Sequence, residues 1–133
     1  MLKAETSLTR QLWKELGGTL FEEFPLGAIR GRTNAPRWAD GLIDKNGPKE
    51  ISKLFPKTLA ELEVIVVHAW SRPLGMFLIG QTLSSVKLID KFHKPKSIEG
   101  YILCTKDDGV LRALMRDEYP FIKIKVFETP VSH

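Results

Sequence analysis

Leu8, Leu12 and Leu16 recur four residues apart, behind the capping oxygens of Glu5-Thr6-Ser7 and ahead of Gly17-Gly18. This spacing predicts an amphipathic helix stopped by the glycine pair. Thr19 to Phe24 reads as a strand, β-prone at both ends and halted by Pro25 and Gly27. Trp38 to Asp44 predicts a second, short strand, with the turn Lys45-Asn46-Gly47-Pro48 behind it. Alternation puts Asp40, Leu42 and Asp44 on one of its faces. The polar, basic stretch Lys49 to Ala60 contains Pro56, and no more than a short helical turn is expected there. Glu63 to Trp70 is the strongest strand: its β-branched run has no polar face, as in a strand covered on both sides. Ser71-Arg72-Pro73 ends it, and a helix from about Leu74 to Phe92 follows, apolar around most of its circumference. A narrow stripe of Gly80, Ser84 and Lys87, with Gln81 beside it, interrupts that apolar surface. Ser97 to Thr105 is then a strand, Asp108 to Arg116 a helix, and Phe121 to Phe127 a strand carrying Lys123 and Lys125 on one face.

The predicted order is a helix, three strands, a helix, a strand, and a last helix and strand. Three leading strands can form a meander, and the helix after the third crosses over to bring the fourth alongside. The expected class is α/β in three layers, a central mixed β-sheet flanked by helices. A length of 133 residues suits one domain, residues 1–133, burying roughly two-thirds of its unfolded surface without a disulfide staple. With 43% hydrophobic and 27% charged residues, the chain is ordinary for a globular domain and unlike a disordered one. The lone Cys104 makes neither an intramolecular disulfide nor a multi-cysteine zinc site, which suits a reducing, cytoplasmic setting. The N-terminus lacks the apolar core of a signal peptide, and Leu74 to Ile89 is too short and polar to span a bilayer.

The formal charge of +4 permits nucleic-acid binding without demanding it. Position matters more than the sum. From Ala28 to Ala39 no acidic residue occurs, while Arg30, Arg32 and Arg37 do, in a loop set by Gly31, Asn34 and Pro36. Guanidinium grips phosphate with two bonds, so these arginines are the expected nucleic-acid contacts; the alternative is an ordinary basic surface loop. No phosphate-binding glycine loop, paired metal-binding histidines or nucleophile elbow is present, and Cys104 reads as an inert buried thiol.

One constellation remains. Asp40 sits on the second strand, and His68-Ala69-Trp70 lies where the third ends, with His68 and Trp70 on the same face. Glu15 lies about 20° from Leu8 on the helical wheel, beside the apolar stripe, and Gln81 comes from the helix after the third strand. At these residues the chain resembles the restriction-endonuclease-like superfamily, the PD-(D/E)XK nucleases. There a glutamate-bearing helix precedes a three-stranded meander, an aspartate marks the second strand, and an acid-x-lysine motif ends the third. A helix, often with a glutamine, and a fourth strand complete the core. Trp38-Ala39-Asp40-Gly41-Leu42-Ile43 looks like the aspartate strand, Val64 to Trp70 like the motif strand, and the resemblance spans Thr6 to Thr105.

The resemblance implies a divalent metal, magnesium or manganese, held by Glu15, Asp40 and His68 if the chain is active, and no cofactor otherwise. It also implies a catalytic group of Glu15, Asp40, His68 and Lys87, with Gln81 and Trp70 in support. His68 stands where the family has its second acid, and Trp70 where it has the lysine. Imidazole suits manganese or zinc better than magnesium, and a displaced lysine would be Lys87, with Arg72 second. The alternative makes His68 a hydrogen-bonded core residue and Trp70 a space-filler against the next helix. The functional expectations are a nucleic-acid-associated nuclease-like protein with a remodelled metal site, or a non-catalytic nucleic-acid- or protein-binding module on the same fold. Its expected partner is nucleic acid, DNA foremost, with no membrane and with a homodimer as the assembly to test.

Overall fold

The computed structural model describes residues 3–26 and 37–127. Helix α1 (Ala4–Leu16) ends at Gly17 and Gly18, whose φ of 78° and 79° lie in the left-handed region where glycine is at ease. The chain turns there into β1 (Thr19–Pro25), then β2 (Trp38–Asp44), β3 (Glu50–Ile51) and β4 (Glu63–Ala69). Helix α2 (Met76–His93), β5 (Ser97–Cys104), α3 (Gly109–Glu118) and β6 (Ile122–Val126) complete the order. The six strands form one sheet in the order β3-β1-β2-β4-β5-β6.

β1, β2 and β4 are the antiparallel meander, and α2 and α3 return the chain so that β5 and β6 pair in parallel. This is the expected three-layer α/β arrangement with a mixed sheet. The strand β3 was not expected. Glu50 and Ile51 come from the basic stretch given at most a helical turn, and they add a parallel edge to Thr19 and Leu20. Two paired residues are too few to leave a period in the sequence.

Leu8 and Leu12 of α1 cover one sheet face with Leu20, Ile43, Ile65, Val67 and Leu103. Leu78, Val86 and Ile89 of α2 and Met115 of α3 cover the other, against Leu42, Val64, Val66, Ile102 and Ile122. The unbroken Val64–Val67 run belongs to this double cover, one parity to each helix layer. α2 packs tightly over the sheet at Gly100, where an added Cβ would lie 2.7 Å from Ile122, 3.0 Å from Val86 and 3.1 Å from Thr82. Among the described residues no helix is long and apolar enough to cross a membrane.

Strict alternation fails where β1 and β2 approach the end of β4. Glu23 has a left-handed φ of 50°, and Phe24 and Leu26 beyond it join Phe21 in the α2-side core. Glu23 and Asp40 fall opposite each other between the paired residues Glu22↔Gly41 and Phe24↔Ala39. Ala39 likewise joins the same core as Leu42, although parity would put it on the other face. Asp40 therefore does not simply share a face with Leu42 and Asp44. This local break is what frees its carboxylate.

Candidate functional site

The β2–β4 ladder runs from Asp44↔Val64 to Gly41↔Val67. Beyond it the Asp40 carboxylate accepts the N–H of Ala69 at 2.8 Å, taking the role a β2 carbonyl would have had. His68 is 5% exposed; its Nε2 lies 2.6 Å from Ser85 Oγ on α2, and its Nδ1 lies 3.8 Å from Asp40 Oδ2. Burial holds the imidazole pKa down at about 4. His68 is thus neutral at neutral pH, and its approach to Asp40 is a dipolar contact, not an ion pair. Burial is also the main influence raising the Asp40 carboxyl, opposed by the Ala69 N–H and reinforced by Glu5 and Glu23.

Two clefts meet at this point. The first, about 360 Å³, gathers Asp40, Glu5 and Glu23 with Lys3, Trp70 and Gln81. The second, about 690 Å³, runs along α2 past Met76, Gly80, Ser84 and Leu88, with Arg37 in its wall and, among the described residues, no acidic one. Trp38, His68, Phe77 and Gln81 border both.

Asp40, His68 and Ser85 stand in the order acid, imidazole, hydroxyl, as in a nucleophilic triad. They do not make one. Ser85 is 3% exposed in the middle of α2, where backbone N–H groups are bonded along the helix and none is left to receive an oxyanion. The pair instead satisfies two buried polar groups and ties β4 to α2.

The ligand set expected from the sequence is not brought together. Glu15 lies in the last turn of α1, half exposed, with Oε2 3.1 Å from Lys125 Nζ on β6. It is ten residues along the helix from Glu5, about 15 Å at about 1.5 Å per residue. A helical wheel fixes a side of a helix but not which end meets the site, and here the N-terminal end does. Glu5, offered by the sequence only as part of a capping stretch, is the α1 carboxylate in the cleft. Glu23 was also missed, because its left-handed backbone has no signature in a non-glycine residue. Among the described residues, no three His, Cys, Asp or Glu side chains converge as metal ligands. The donor set therefore does not fit magnesium, which wants near-octahedral oxygen ligation.

Lys87 lies outside both clefts, with Nζ 5.3 Å from the Phe121 ring centroid. Trp70 packs edge-on against Phe77 at 5.6 Å, and the Arg72 guanidinium lies 5.0 Å over its ring. Gln81 reaches both clefts and Arg37 the second; Arg30 and Arg32 fall outside the described residues. Ser85 was missed too, although a hydroxyl on an apolar helix beside a histidine-bearing strand is the signal that points to it.

No family model and no curated protein matches the sequence. Solved structures do. A repair endonuclease from Pyrococcus abyssi superposes with a TM-score of 0.56 at 13% identity, over 98% of this chain and 50% of that one. EndoMS, solved in complex with double-stranded DNA, superposes with a TM-score of 0.58 at 12% identity, over 99% of this chain and 48% of that one. The chain shares the fold of these two neighbours, the restriction-endonuclease-like α/β arrangement expected from the sequence. It spans about half the length of these two neighbours.

Proposed function

We propose that the chain is a nucleic-acid-binding module built on the nuclease fold, without phosphodiesterase activity of its own. The observation that carries this reading is the state of the motif positions. His68 is neutral and bonded to Ser85, and Trp70 is packed between Phe77 and Arg72. Cleavage needs an activated water and a means of neutralising charge on the phosphate, both held in line. An imidazole whose pKa burial holds at about 4, with its Nε2 taken by Ser85, is too weak a base to activate water at neutral pH, and neither it nor an indole brings positive charge to the phosphate. The nucleic-acid part of the proposal is supported by the fold shared with a repair endonuclease and with a protein solved on double-stranded DNA. Arg37 and Arg72 beside the clefts offer phosphate contacts.

A second reading, a metal-dependent phosphodiesterase with a remodelled site, is favoured by one observation: Glu5, Glu23 and Asp40 share a cleft. Labelled single- and double-stranded DNA incubated with magnesium and with manganese separates the two. The expected result is no cleavage with either ion, together with binding that weakens steeply as salt rises. Metal-dependent cleavage lost in both Asp40→Asn and Glu5→Gln would overturn the binding-module reading in favour of the enzyme. Absence of both cutting and binding would remove nucleic acid from consideration.

A further inference from the structure

The geometry points to the second cleft as a seat for an unpaired nucleobase, so that the module prefers single-stranded or looped nucleic acid to a closed duplex. This rests on the nucleic-acid reading above and specifies its ligand. Large apolar side chains usually turn inward, yet Trp38 is 54% exposed and Phe77 66% exposed, and both stand at the mouth of this cleft. Trp38 comes from the start of β2 and Phe77 from the first turn of α2, so two separate elements present aromatic rings to one space. A base has a π-face that such rings can stack on, whatever its identity.

The floor that α2 gives this cleft is left open at Gly80. A Cβ added at Gly80 would meet no heavy atom within 4 Å. The side chains of Gln81 and Ser84 line the same floor and offer donors and acceptors to the edge of a base. The volume of about 690 Å³ falls in the range of about 300–1,000 Å³ typical of small-ligand sites, room for a nucleotide.

Charge separates this cleft from its neighbour. The first cleft carries Glu5, Glu23 and Asp40 against the single cation Lys3, which leaves it repulsive to phosphate; the second has Arg37 and, among the described residues, no acid. Arg72 lies over Trp70, which lines the first cleft, so Arg37 is the guanidinium of the second. A base stacked on either ring would share the cleft with Arg37, which would meet its phosphate. In a closed duplex every base is stacked and its faces are covered, so the rings would have nothing to grip.

The test is fluorescence anisotropy of a labelled oligothymidylate of about twelve nucleotides, its ribose counterpart, and a blunt-ended duplex of mixed sequence annealed from two strands, with no loop. Wild type is expected to bind the single strands more tightly than the duplex. Trp38→Ala and Phe77→Ala should each weaken single-strand binding about ten-fold, the loss of one stacked base, while Trp38→Phe retains most of it. Gly80→Leu, whose Cβ would meet no heavy atom within 4 Å and whose longer side chain would occupy the floor, should also weaken single strands and leave duplex binding unchanged. A preference between the deoxy and ribose strands names the sugar, and either preference upholds the site. Duplex bound as tightly as single strand, with the aromatic variants indifferent, overturns the site and leaves the nucleic-acid module standing. No binding of any probe overturns both. A dimer in sedimentation that Phe77→Ala dissociates assigns the rings to a second copy of the chain and overturns the base seat.

Discussion

Replacing His68 with glutamine tests the buried imidazole through the acid limb of stability. Glutamine can still hydrogen-bond Ser85 but takes up no proton. In the unfolded chain His68 titrates near 6.5; in the folded chain burial keeps it neutral down to about 4. The unfolded state therefore binds more protons between these limits. The stability contributed by this group is complete above about pH 6.5 and is lost as pH falls toward 4. At about 1.36 kcal/mol per pH unit, that window corresponds to about 3 kcal/mol. Asp40, whose carboxyl is raised, works in the opposite direction, since its folded form takes up a proton more readily than the unfolded chain does. It is common to both proteins and drops out of their difference, provided the substitution does not move it; the same comparison in an Asp40→Asn background checks this. Urea melts of wild type and His68→Gln at pH 7, 6, 5 and 4 should show wild type ahead at pH 7 and the gap closing or reversing by about 3 kcal/mol at pH 4. Curves that stay parallel across this range would refute the buried neutral imidazole, because a solvated histidine would titrate alike in both states.

Two smaller perturbations report on the frame that holds the clefts. Gly100→Ala forces a methyl group against Ile122, Val86 and Thr82, and chemical denaturation should show a loss of about 1–3 kcal/mol. Asp108→Ala removes the carboxylate oxygen that accepts the N–H groups of Val110 and Leu111 at 3.1 and 3.0 Å, and should cost about 1 kcal/mol in the same assay.

Much of the fold is legible because its elements are long and their periods clear. Val64–Val67 reads as a doubly covered strand, and Leu8 and Leu12 before Gly17-Gly18 read as a helix with a defined end. β3 is not legible, because Glu50 and Ile51 pair by tertiary placement alone. The meeting of Asp40 with His68 follows from strands neighbouring in the sheet, so sequence order reaches it. Glu5 against Glu15 is decided by how far α1 is slid along the sheet, a quantity set by Leu8 and Leu12 packing and invisible to angular spacing. The local break at Glu23 and Asp40 is likewise a backbone event, a left-handed residue where no glycine announces it.

The bond from Ala69 N–H to the Asp40 carboxylate also bears on how this chain would change over time. A backbone donor at a half-buried strand end needs an acceptor whether or not any phosphate is ever cut there. Alanine at position 40 would strip it, whereas asparagine could supply an amide oxygen in its place. Selection for a folded protein alone would thus preserve a short acceptor side chain at this position. In any set of homologues, an aspartate here is weak testimony for activity. Positions 68 and 70, whose side chains make no such backbone bond, are where a difference in chemistry would be read.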